Sequence, residues 1–127
     1  MVNRSQPLRE KLIIEGYSVY YFEAYGGLDD FTPSTATSFG NSLIQRIDEL
    51  RTFAAHVFVD DRSGDVPTEN HGRISLDEFQ SKLIDPIFYL WRPDFAEVSF
   101  DHSGMYAPYS INVEIVDGNC RNAYVSI

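Results

Sequence analysis

The sequence predicts a single α+β domain over residues 1–127. Its core is a mostly antiparallel sheet of about five strands, ending in a C-terminal meander and hairpin, with two to three helices packed on one face. Three observations predict it. Residues 111–127 form two alternating runs around Asp117-Gly118. Asp-Gly between alternating runs is the strongest short-range hairpin signal. Ile111, Val113 and Ile115 then share one face, as do Ala123, Val125 and Ile127, while Asn112, Glu114, Asn122, Tyr124 and Ser126 take the other. A hairpin alone is marginal in water, so upstream segments must cover its apolar face. The third observation is a helical stripe, Leu43, Ile44, Ile47, Leu50 and Ala54, at the spacing of one buried face.

Taken in order, the chain opens with Ser5-Gln6-Pro7, a cap and a first-turn proline for a helix that Gly16 stops. Tyr17–Phe22 is β-branched and aromatic on both faces, the pattern of a central strand. Gly26-Gly27 ends it. The stretch 28–40, rich in Thr, Ser, Asp and Gly, reads as a loop with at most one turn of helix after Pro33. Asn41 caps the helix 41–54, and Ala55–Val59 reads as a short buried strand containing His56. Residues 60–72, broken by Gly64, Pro67 and Gly72, read as a loop. Ser75 with Glu78 forms a capping box for a helix 76–84. Beyond Pro86, residues 87–91 read as a second short helix or a kinked continuation. Phe95–Asp101 alternates again, with Ala96, Val98 and Phe100 on one face. A loop over 102–109 leads into the hairpin.

Composition bounds the function classes. The chain carries 10 basic and 19 acidic residues, a formal charge of −9. That disfavours nucleic acid or an anionic membrane as direct ligand, because both need cationic surface. It permits a basic protein partner through electrostatic steering, though net charge also serves solubility alone. No apolar run approaches the ~20 residues that span a bilayer. The N-terminus lacks the apolar core of a signal peptide. The one cysteine, Cys120, has no internal partner. Together these point to the cytoplasm.

No motif fixes a reaction. His71–Phe79 resembles the second half of an EF-hand loop, with Gly72, Ile74 and Glu78 at positions six, eight and twelve. Counting back puts Pro67, Glu69 and His71 at one, three and five, so the leading aspartate that calcium needs is missing. The same letters are explained by the capping box. His56, His71 and His102 have no zinc spacing, and neither a phosphate loop nor a nucleophile elbow is present. No metal, cofactor or catalytic residue is therefore assigned.

Two features point to a partner. Asp60, Asp61, Asp65 and Glu69 crowd one loop, and residues 60–101 hold −6 of the −9. Tyr124 and Glu114 fall on the polar side of the hairpin, and tyrosine suits interfaces because it joins large area to a polar tip. The expectation is a cytoplasmic protein-binding domain and not an enzyme, one that inhibits a basic toxin or nuclease. Bacterial immunity proteins are similar in general character, though no residue motif here marks such a family. The alternative is a small-molecule-binding protein or small enzyme. Phe22, Phe58, Trp91, Phe100 and Tyr106 would line its apolar pocket, with His56 or His102 and a carboxylate as acid–base groups. A homo-oligomer paired through an edge strand is a third reading.

Overall fold

The structure is a computed structural model that describes residues 8–23, 31–106 and 109–126. Its backbone is a six-stranded sheet. Along the chain come β1 (Leu8–Ile14), β2 (Tyr17–Glu23), α1 (Pro33–Ile44), α2 (Ile47–Phe58), β3 (Val66–Pro67), β4 (Arg73–Ile74), α3 (Leu76–Ser81), β5 (Ile84–Arg92), β6 (Phe95–Asp101), β7 (Ser110–Val116) and β8 (Asn119–Ser126). The order across the sheet is β1-β2-β5-β6-β7-β8, and β3 and β4 form a separate pair. Only the β2–β5 pairing in the large sheet is parallel. Parallel neighbours need a crossover, and the helical segment between β2 and β5 provides it. The α+β class, the strands at 17–22 and 95–101 and the C-terminal hairpin are as the sequence predicts.

The expected N-terminal helix is instead β1. Its proposed cap, Ser5–Pro7, lies outside the described residues, as do Gly26-Gly27 and Ile127. Glu15 and Gly16 both take positive φ, 51° and 85°, which closes a two-residue hairpin with Ile14 opposite Tyr17. Gly16 was needed for a turn between strands, not for a helix end. Pairing along the whole of β2 outweighs the helix propensity of Leu-Arg-Glu-Lys.

The expected helix at 41–54 is two helices, broken at Gln45 and Arg46. The first starts eight residues earlier than Asn41, where Thr32 and Thr35 form a reciprocal capping box around Pro33. The supposed loop at 33–40 is thus helical. The second runs on to Phe58, through most of the supposed strand at 55–59, so His56 is exposed on a helix and not half-buried in a sheet. The predicted stripe is correct: Leu43, Ile44, Ile47, Leu50 and Ala54 are all buried. Ser75 does cap α3, accepting the Glu78 N–H at 3.0 Å.

Residues 87–91 are strand, not helix. Pro86 sits at a register shift between Ile84 and Ile87, where its missing N–H takes nothing from the ladder. Pro86, Phe88 and Leu90 then point inward while Ile87 and Tyr89 point outward.

Both long helices cover the same side of the sheet, α1 over β1, β2 and β5 and α2 over β7 and β8. Val19, Phe88, Leu90, Val98, Phe100, Ile111, Val113 and Ile115 meet Leu43, Leu50 and Ala54 in one core. No helix among the described residues is long and apolar enough to cross a membrane.

Candidate functional site

Strand alternation decides what lies on the other side of the sheet. In β2, Val19 and Tyr21 are buried under the helices, so Tyr20 and Phe22 project away. Tyr20 is paired with Tyr89 of β5, and the next step sets Phe22 beside Trp91. The rings form a ladder. Tyr20 stacks on Tyr89 at 5.6 Å, Phe22 on Trp91 at 4.3 Å with planes 9° apart, and Tyr89 lies 6.3 Å from Trp91. Trp91 is 39% exposed and Ile13, on the same face, 62%. Tyr20, Phe22 and Tyr89 are half-buried, and the two long helices lie on the opposite side of the sheet.

Moving across the sheet, register places Glu97 of β6 directly beside Tyr89, Glu114 of β7 beside Glu97, and Asn122 of β8 beside Glu114. The next row holds Ile87, Ser99, Asn112 and Tyr124. The Tyr124 hydroxyl donates to Glu97 Oε2 at 2.5 Å. Burial, and then the charge and hydrogen bond of Glu97, push the Tyr124 phenol well above the ordinary tyrosine range, and Glu114 adds to the shift. Neither Glu97 nor Glu114 forms an ion pair among the described residues. Among the described residues two cations stand on the aromatic side: Lys11 lies 5.7 Å from the Tyr20 ring, and Arg92 lies 5.7 Å from Phe95 and is paired with Asp94. The face is therefore an aromatic ladder with a pair of carboxylates along its β6–β7 flank.

The predicted partner-binding residues divide between two surfaces. Glu114 and Tyr124 lie together on this open face. Asp60, Asp61, Asp65 and Glu69 lie around the β3–β4 pair, which abuts α2 on the covered side of the sheet. There the Tyr106 hydroxyl donates to Pro67 O at 2.7 Å, and Phe58 at the end of α2 meets the Tyr106 ring. Arg73 reaches Asp65 at 2.6 Å and Asp60 at 3.1 Å. The Asp60 carboxyl is lowered chiefly by the Arg62 N–H and then by Arg73; that of Asp65 is lowered by the Ser63 hydroxyl and Arg73. Two of the four acids thus serve an internal network, leaving Asp61 and Glu69 exposed.

The residues of the alternative pocket are also separated. Phe22 and Trp91 stack on the open face, whereas Phe58 and Phe100 lie on the helix side. His102 is buried at 2% exposure and works as a pin: Nε2–H donates to Tyr109 O, and Nδ1 accepts from the Tyr106 N–H at 3.3 Å. Both ring nitrogens are engaged in holding the β6–β7 connection. Shallow grooves of about 480 Å³ flank the start of β5, one of them beside Arg51. The Arg51 guanidinium is already committed to Leu83 O at 2.8 Å and Asp48 at 3.1 Å. No group of three metal-ligating side chains occurs among the described residues.

Sequence reasoning missed Tyr20, Tyr89 and Glu97 as site residues, and placed Trp91 in a pocket wall. The signal was present in the alternation of Pro86, Phe88 and Leu90 against Ile87 and Tyr89. Reading 87–91 as a helix hid it. No family model, curated protein or solved structure matches the chain.

Proposed function

We propose that this protein is a protein-binding domain of the cytoplasm that captures a basic protein on the uncovered face of its sheet and neutralises it, with a toxin or nuclease as the partner class. The observation that carries this reading is the ladder Tyr20–Tyr89 and Phe22–Trp91, half-buried apart from the exposed Trp91, beside two carboxylates that have no ion-pair partner among the described residues. Trp and Tyr are the residues that most often dominate binding energy at protein interfaces. Sheet faces of this kind also stack nucleic-acid bases in other folds. Here the central row presents Glu97 and Glu114, and the chain carries −9 overall, which repels phosphate. Asp61 and Glu69, on the other surface, contribute long-range attraction in this reading.

The test is affinity capture from lysate of the native organism, followed by an activity assay of what is captured. The expected result is a basic protein in stoichiometric amount, released by salt, whose toxic or nucleolytic activity disappears at one equivalent of this domain. A captured protein that keeps full activity at saturation would defeat the inhibitor reading.

A further inference from the structure

Within that open face, and resting on its role as the binding surface, we infer that the Tyr89–Glu97–Glu114 row is a seat for one arginine side chain of the partner. Three observations converge. Glu97 and Glu114 are direct cross-strand neighbours. Like charges directly opposite destabilise a sheet, and neither has an ion-pair partner among the described residues. The free protein therefore holds an arrangement that a cation would relieve. Second, the row continues into Tyr89, whose ring is already stacked on Tyr20 at 5.6 Å and fixed in orientation. A planar guanidinium can lie against an aromatic ring and meet carboxylates with its fork of donors, which an ammonium cannot do as well. Third, Tyr124 fixes Glu97 by donating to Oε2 at 2.5 Å, so one carboxylate is held in place before the partner arrives. Preorganisation of this kind removes part of the ordering cost of binding.

Charge complementarity selects the occupant. A second copy of this chain would bring its own −9 and its own glutamate pair to the face. Lys11 and Arg92 sit at the aromatic end, already against Tyr20 and Phe95, and leave the carboxylate flank to an incoming cation.

The experiment titrates the full chain with a short oligo-arginine peptide and its oligo-lysine counterpart, by calorimetry at physiological ionic strength. Four proteins are compared: wild type, Glu97→Gln with Glu114→Gln, Trp91→Ala, and Asp77→Asn with Glu78→Gln. The last changes the same net charge on exposed α3 and controls for bulk electrostatics. The expected result is tighter binding of the arginine peptide than the lysine peptide by wild type. The arginine peptide should lose at least about tenfold in affinity in the Glu97/Glu114 variant, with little change in the α3 variant. The Glu97/Glu114 variant should also unfold at equal or higher denaturant than wild type, because it relieves the like-charge pair. If Trp91→Ala weakens binding but the Glu97/Glu114 variant matches the α3 control, the seat is wrong while the open face stands. If neither exceeds the α3 control, or neither peptide binds, both readings fall. Equal affinity for the two peptides overturns the assignment to arginine.

Discussion

Phe88 and Trp91 occupy the same strand and point to opposite sides of the sheet, so truncating each in turn measures whether one side is uncovered. Phe88 is fully buried, with Tyr17 packed edge-on at 6.0 Å. Its truncation to Ala removes a core aromatic ring and leaves a cavity beneath the helices, at a cost of about 3–5 kcal/mol. Trp91 is 39% exposed, and its main contact is the Phe22 stack at 4.3 Å. An aromatic pair of this kind contributes about 0.5–1.5 kcal/mol beyond its area. Adding partial burial, Trp91→Ala should cost about 1–2 kcal/mol. The gap between the variants is then about 1–4 kcal/mol. Urea unfolding followed by far-UV circular dichroism is the assay, because Trp91 is the single tryptophan and its loss removes the fluorescence signal. Repeating it across a wide range of protein concentration checks whether a second copy covers the face. If Trp91→Ala costs as much as Phe88→Ala, the face is covered in the free protein and the site assignment fails.

Three further outcomes follow from the same geometry. His102→Ala should lower stability by about 1–3 kcal/mol, since it leaves the Tyr106 N–H and the Tyr109 carbonyl without their buried partner; hydrogen exchange should localise the change to residues 102–110. Gly40→Val should cost about 1–3 kcal/mol, because even a Cβ there meets Val19 Cγ1 and Ile14 Cδ1 at 3.1 Å and Val19 is fully buried; Gly40→Ala should cost less in the same denaturation assay, its better helix propensity offsetting the crowding. Tyr124 keeps its proton to higher pH in the folded chain than its ordinary value of 10.0, through burial and Glu97. The folded state then binds more protons than the unfolded state above that value, so stability falls as pH rises through it. Unfolding midpoints across the alkaline range should show a shallower decline in Tyr124→Phe than in wild type.

How much of this was legible in the sequence varied with how local the cause was. The C-terminal hairpin was readable because Asp117 and Gly118 supply positive φ, 51° and 80°, and the flanking alternation fixes the register. The buried stripe from Leu43 to Ala54 was readable because helical spacing survives a short break. The break itself was not, since Gln45 and Arg46 carry no strong stop signal. The first strand misled because Leu8–Ile14 fits a helix locally and becomes a strand through its partner, Tyr17–Glu23. The same is true of β5, whose Pro86 reads as a helix interruption until a bulge accommodates it. Part of the site was visible: Glu114 and Tyr124 followed from the hairpin alternation alone. Glu97 and the aromatic ladder depend on strand order, above all on the parallel β2–β5 pairing, and no local pattern encodes that.

The central claim is that the uncovered face is what holds a basic partner. The most direct measurement compares two baits in parallel captures from native lysate: the wild-type chain, and a chain with Tyr89→Ala and Trp91→Ala shown by circular dichroism to be folded. Wild type should retain a basic protein in stoichiometric amount, and the variant should lose it. Retention of the same partner in equal amount by both baits would contradict it.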